Sequence, residues 1–155
     1  MRKKITYLAA GVIAFIIIIQ FIRPDYTTIP EKTSGDMSHY LDIPPAVMQT
    51  LETSCYDCHS ENTKWPWYSR IAPMSWLVVM DVHEGRGHLN LSDWDSYTPM
   101  QQAGIVRLMC RTVEQKRMPP RKYTMPHADA RLTTEEKEAL CLWANSTADR
   151  LHSQF

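Results

Sequence analysis

Apolar residues recur at spacings of three and four along most of this chain, and nowhere do they alternate over a sustained run. That period belongs to helices rather than strands, and it places four of them in the body of the protein. The first starts near Pro44-Pro45, where proline is tolerated because first-turn amides have no intrahelical partner, and it aligns Val47, Met48 and Leu51. The second covers about 73–84, with Trp76, Leu77 and Met80 in one stripe, and Gly85-Arg86-Gly87 is expected to end it. The third runs from Thr98-Pro99 to about Lys116 and aligns Val106, Met109, Cys110 and Val113. The fourth opens on Thr133-x-x-Glu136, a reciprocal capping pair, and turns Leu140, Trp143, Ala144, Ala148 and Leu151 inward. The expected fold class is all-α.

The N-terminal pattern is different. Residues 5–22, ITYLAAGVIAFIIIIQFI, carry no charge and follow Arg2, Lys3 and Lys4. Eighteen helical residues reach about 27 Å, close to the roughly 30 Å of bilayer hydrocarbon. The run exceeds a secretory apolar region and no small-residue cleavage site follows Ile22, so it reads as one uncleaved transmembrane helix rather than a signal peptide. The basic cluster would stay cytoplasmic, which predicts a single-pass protein of the inner (cytoplasmic) membrane with its C-terminal domain in the periplasm. The organisation expected is an anchor over 1–22, touching the lipid bilayer through 5–22, a linker over 23–43 marked by Pro24, Pro30 and Gly35, and a domain over 44–155.

Charge narrows the partners. The chain balances 17 Lys and Arg against 17 Asp and Glu, and three of the basic residues lie in the first four positions, leaving 14 for the remainder. A neutral to slightly acidic body argues against a nucleic-acid partner, which needs a basic surface.

The chemistry is concentrated in Ser54-Cys-Tyr-Asp-Cys-His59, followed by Trp65, Trp67 and Tyr68. C-x-x-C-H is the attachment pattern of c-type haem. On a helical turn positions i and i+3 share a face, so both thiols reach the two vinyl groups on one porphyrin edge, and the adjacent imidazole can bind the iron. A Cys₄ zinc set of Cys55, Cys58, Cys110 and Cys141 is one competitor, but 110 and 141 do not form a second C-x-x-C. A dithiol redox couple is another, and it would want a βαβ setting that the pattern lacks. Cys110 and Cys141, both on inward helical faces, are either disulfide-bonded or two buried thiols. The aromatics Trp65, Trp67, Tyr68 and Trp76 either line a haem crevice or fill the core, and the carbonyl of Pro66 or Pro73 is a candidate partner for His59 Nδ1.

Three segments, SCYDCHSENTKWPWYSRIAPMSW, EGRGHLNLSDW and RMPPRKYTMPHADARLTTEEKEALCLWA, occur in this order and together resemble the bacterial haem-binding-domain family of membrane-anchored mono-haem c-type cytochromes, over roughly residues 44–145. The resemblance implies a small cytochrome-c-like helical domain with one covalent haem c. Cys55 and Cys58 would anchor it and His59 would be the proximal iron ligand. Met118, in Arg117-Met-Pro-Pro120, is the first candidate for the distal ligand, with Met125 and His127 as alternatives. Lys116, Arg117, Arg121 and Lys122 crowd the same loop, where they either sit in solvent or steer an acidic partner.

The expected function is single-electron transfer to redox partner proteins at the membrane, by a carrier more than by an enzyme. The alternatives are a haem peroxidase-type enzyme, with His83 or His127 as acid–base group, or a haem-based sensor with an open distal site.

Overall fold

In a computed structural model, residues 2–26 and 33–153 are described, and every regular element among them is helical. α1 (Arg2–Ile19) is followed by α2 (Pro45–Ser54), α3 (Tyr56–His59), α4 (Met74–His88), α5 (Pro99–Glu114), α6 (Arg121–Thr124) and α7 (Thr134–His152), with 3₁₀ turns at Met37–His39, Trp67–Arg70, Leu91–Ser96 and Ala128–Ala130. The all-α expectation holds for the described residues.

The membrane anchor does not. No helix among the described residues is long and apolar enough to cross a membrane. The physical reason lies in where α1 begins and ends. It starts at Arg2, so Arg2, Lys3 and Lys4 are helical, and it stops at Ile19, with Gln20 and Phe21 in a turn. The uncharged helical part, 5–19, spans only about 22 Å at 1.5 Å per residue, short of the roughly 30 Å hydrocarbon core. The expectation of a single-pass inner-membrane protein with a periplasmic body is therefore withdrawn. The chain beyond α1 turns back onto the body instead. The Gln20 side chain brackets Ala72, its Nε2 donating to the Ala72 carbonyl (3.2 Å) and its Oε1 accepting from the Ala72 amide (2.9 Å). Trp76 Nε1 donates to the Ile22 carbonyl (2.8 Å), the Tyr26 hydroxyl donates to the Ser69 carbonyl, and the Tyr26 ring meets Trp65 edge-on.

Residues 27–32 of the expected linker, including Pro30, lie outside the described residues; 33–43 pack on the domain. Asp36 and Met37 are fully buried. Asp36 Oδ1 accepts from the Ser38 amide, the Ser38 hydroxyl and the Tyr56 hydroxyl. Gly35 sits under Asp95, and its carbonyl accepts from the Trp94 amide at 2.7 Å.

The core is built by the faces that the periodicity marked. Val106, Cys110 and Val113 of α5 meet Leu140, Trp143 and Ala144 of α7, with Val47 and Leu51 of α2, Tyr56, Leu91 and Trp94 closing the cluster. α7 starts on the reciprocal cap expected, Thr133 with Glu136, and α5 starts on a second one that the sequence reading did not name, Thr98 with Gln101. α5 ends in a left-handed turn: Lys116 has φ 56°, its amide donates to the Val113 carbonyl, and the Arg117 amide donates to that of Thr112. This is the Schellman arrangement, with lysine where glycine is usual. Cys110 and Cys141 are joined in a disulfide that staples α5 to α7 across 31 residues of chain, which removes them from any Cys₄ zinc set.

Closing a 31-residue loop in the unfolded chain predicts that replacing both Cys110 and Cys141 by Ala lowers unfolding free energy by roughly 3–4 kcal/mol in urea melts. By contrast Lys116→Gly, which relieves a left-handed side chain, should raise stability by about 1 kcal/mol in the same assay.

Candidate functional site

Cys55 closes α2 and opens α3, so the motif is a single helical turn set between two elements. The Cys58 and His59 amides both donate to the Cys55 carbonyl, at 3.2 and 3.0 Å. Tyr56, the residue between the two thiols that points inward, is almost fully buried and fixes the turn through its hydroxyl on Asp36. Cys55 and Cys58 are the two free thiols among the described cysteines, each half-buried. Burial pushes Cys55 up to about 12, with the neighbouring Cys58 adding to it. Cys58 is pushed up to about 11 by burial, then by Asp57 and Asp81. Both are neutral thiols at neutral pH.

His59 is held from across the fold. Its Nδ1 lies 3.1 Å from the Leu89 carbonyl, and since a carbonyl can only accept, Nδ1 carries the proton and Nε2 keeps its lone pair. The partner is Leu89, not the Pro66 or Pro73 carbonyl considered from sequence. Burial lowers the imidazole pKa, against the opposing pull of hydrogen bonds to the Leu89 and Gly85 backbones. A neutral imidazole with Nδ1–H fixed by a carbonyl and the Nε2 lone pair retained is the form that binds a transition metal.

The turn that delivers Leu89 is the one sequence reading placed outside the helix. Gly85 and Gly87 do not end α4, which continues to His88. A Cβ on Gly85 would lie 2.5 Å from the Cys58 carbonyl oxygen and 3.1 Å from the Cys58 Cβ, so the absence of a side chain lets α4 press its backbone on the motif. The next residue, Arg86, reaches over the segment after His59. Its Nε donates to the Ser60 carbonyl (2.8 Å), Nη2 to the Thr63 hydroxyl (2.9 Å), and Nη1 pairs with Glu61 at 3.5 Å. Gly85, Arg86 and Leu89 were not singled out as site residues; the signals available were a Gly-x-Gly that reads equally well as a helix stop and the place of all three in the EGRGHLNLSDW segment that carries the resemblance.

The loop residues fall as follows. Met118 follows the α5 cap and is 41% exposed, whereas Met125 closes α6 and is 72% exposed. His127 is occupied: Nε2 lies 2.7 Å from the Tyr68 hydroxyl, and its ring stacks on Tyr123 at 4.6 Å. His83 is exposed on α4. Of the basic cluster, Lys122 pairs with Asp81 of α4 at 2.6 Å. Among the aromatics Trp67 is exposed, while Trp65, Tyr68 and Trp76 are half-buried, and Trp65 Nε1 is buried without a hydrogen-bond partner.

The donor set fits haem. Two unpaired thiols stand three residues apart beside an imidazole whose Nδ1 carries the proton. The elements around α3 expose Trp67, Ile71, Met74, Leu77, Met80, Met118 and Met125, apolar surface of the kind a porphyrin covers.

Because α4 meets backbone rather than a yielding side chain at Cys58, Gly85→Ala should cost about 1–3 kcal/mol in urea unfolding, although alanine is the better helix former. Gly87→Ala, which meets nothing within 4 Å, should be neutral or stabilising in the same melt.

No curated protein and no solved structure matches the chain. The haem-binding domain family matches it over residues 14–146, a span that takes in the motif turn, α4, the methionine loop and most of α7. The chain belongs to the haem-binding domain family.

Proposed function

We propose that this protein is a mono-haem c-type cytochrome that carries single electrons, with haem c held covalently through Cys55 and Cys58, His59 as proximal ligand and Met118 as distal ligand. The observation that carries the reading is the motif turn itself. Both thiols are unpaired while the chain's other two cysteines are bonded to each other, and the imidazole is oriented with its proton spent on Leu89. Family membership supports haem as the cargo; the single C-x-x-C-H supports one covalent group.

Bound haem supplies a one-electron ferric–ferrous couple, and the chain's residues tune and protect it. Cys55 and Cys58 would hold the group covalently, so a small domain could keep a large cofactor without enclosing it. The Leu89 carbonyl, accepting from Nδ1–H, raises the electron donation of His59. A methionine thioether opposite a histidine favours the reduced state, and Met118 is suited to that place by a chain fixed on one side by the α5 cap and stiffened by Pro119 and Pro120. The exposed apolar residues around α3 would offer a bound haem apolar cover against water. Electron delivery then needs only a brief encounter, and Lys116, Arg117 and Arg121 suit a redox partner with an acidic face.

Produced in a host that matures c-type cytochromes, the protein should be coloured and heavier by one haem that survives denaturation; a colourless product at the mass of the bare chain refutes the proposal. Cys55→Ala with Cys58→Ala should abolish the covalent mass increment. Met118→Ala should convert six-coordinate, low-spin ferrous haem to a form that binds CO, and an unchanged spectrum excludes Met118. Wild-type haem that is high-spin and reacts with peroxide would favour a peroxidase-type role.

A further inference from the structure

The residue between Tyr56 and Cys58 is not a spacer. Asp57 uses both carboxylate oxygens and its carbonyl on segments flanking the motif. Oδ1 accepts from the Lys64 amide at 2.9 Å and the carbonyl accepts from the Thr63 hydroxyl at 2.7 Å, which pins the strand of chain leading into Trp65 and Trp67. Oδ2 accepts from the Tyr123 hydroxyl at 2.8 Å, which pins α6 from a distance of 66 residues. Tyr123 also carries His127 on its ring face, and His127 reaches Tyr68 on the opposite side.

The consequence concerns Met118. On its N-terminal side the chain is held by the α5 cap, where the Arg117 and Met118 amides both donate to the Thr112 carbonyl. On its C-terminal side the first tie to the motif is Tyr123, five residues on. An untied stretch of that length spans up to about 17 Å, enough to carry the thioether out of any position fixed by the motif. Lys122 on Asp81 is a second tie, but its ammonium is largely in solvent, where such pairs contribute little. A half-buried phenol on a carboxylate is the stronger restraint.

We propose that Asp57 and Tyr123 form a clasp that positions the 117–127 loop against the motif, making both positioning residues for the distal ligand. The proposal rests on the c-type haem reading for what the loop presents, but not for the clasp itself. Removing the Asp57 carboxylate leaves the Tyr123 hydroxyl only the longer contact to the Thr53 carbonyl, at 3.4 Å, and removing the hydroxyl takes the Tyr123 donor from Oδ2; the stacked Tyr123 and His127 rings cannot substitute for the bond.

The test uses the full chain purified from a host that attaches c-type haem, as wild type, Tyr123→Phe, Asp57→Ala and the double variant. Phenylalanine keeps the ring and its stacking and deletes only the hydroxyl. Amide hydrogen exchange should rise at least tenfold for Met118 and for 122–125 in Tyr123→Phe, while α5 and α7 stay within twofold of wild type. Ferrous CO binding should quicken at least tenfold, with the covalent haem mass unchanged. Tyr123→Phe should add less than twofold to either rate in the Asp57→Ala background. Loop exchange within twofold of wild type, or a rise spread equally over α5 and α7, overturns the clasp. Faster loop exchange with unaltered CO binding overturns its role in ligation. If the wild type carries no haem the c-type reading fails, whereas the exchange measurement still decides whether the clasp exists.

Discussion

The structure depends on a backbone-to-backbone contact. α4 can lie on the motif turn only because Gly85 has no side chain, and that contact places the Leu89 carbonyl where His59 Nδ1 can donate to it. A side chain at position 85 would move the helix, and with it the group that selects the histidine tautomer. Arg86, one residue further along, spans Ser60, Glu61 and Thr63 and holds the chain that leaves the motif. One turn of helix thereby sets both the protonation pattern of the imidazole and the path of the segment beyond it.

Behind the turn, the molecule divides its labour. α5 and α7, joined by the Cys110–Cys141 disulfide and by the inward stripe of Val106, Val113, Leu140, Trp143 and Ala144, form a rigid platform with no part in the site chemistry. Leu51 and Tyr56 connect that platform to the motif, so the first half of the cysteine dyad is anchored in the core and the second half faces α4. The four cysteines are thus used in two chemically separate ways, one pair oxidised for stability and one pair left as neutral thiols.

What could be read from sequence followed the range of the interaction. The capping box of α7, the inward faces of α5 and α7 and the C-x-x-C-H turn are set by residues three or four apart, and each is legible. Gly85 reads as a helix stop because the same residue type serves both an αL cap and a close helix contact; only the packing, 27 residues back in the chain at Cys58, tells them apart. The Leu89 partner of His59 lies 30 residues away and offers no local signal. The stretch 5–22 has the apolar letters of a spanning helix but not its length, since the helix takes in Arg2, Lys3 and Lys4 and releases the chain before Gln20. The burial of Asp36 and Met37 was hidden for a related reason: the segment has no periodicity, and its order comes from Tyr56 and Trp94 rather than from itself.

The bracket that Gln20 makes around Ala72, together with the Ile22 carbonyl under Trp76, bears on where this protein can be shortened. A version begun at residue 44, the first position of the regular helical body, would hand the Ala72 amide and carbonyl and the Trp76 indole to water, and would strip Tyr26 from the edge of Trp65. It would also leave a void the size of Met37 between α2 and the Leu91–Ser96 turn, with Tyr56 facing an empty space where Asp36 had been. The contacts that hold the body therefore reach well upstream of its first core helix.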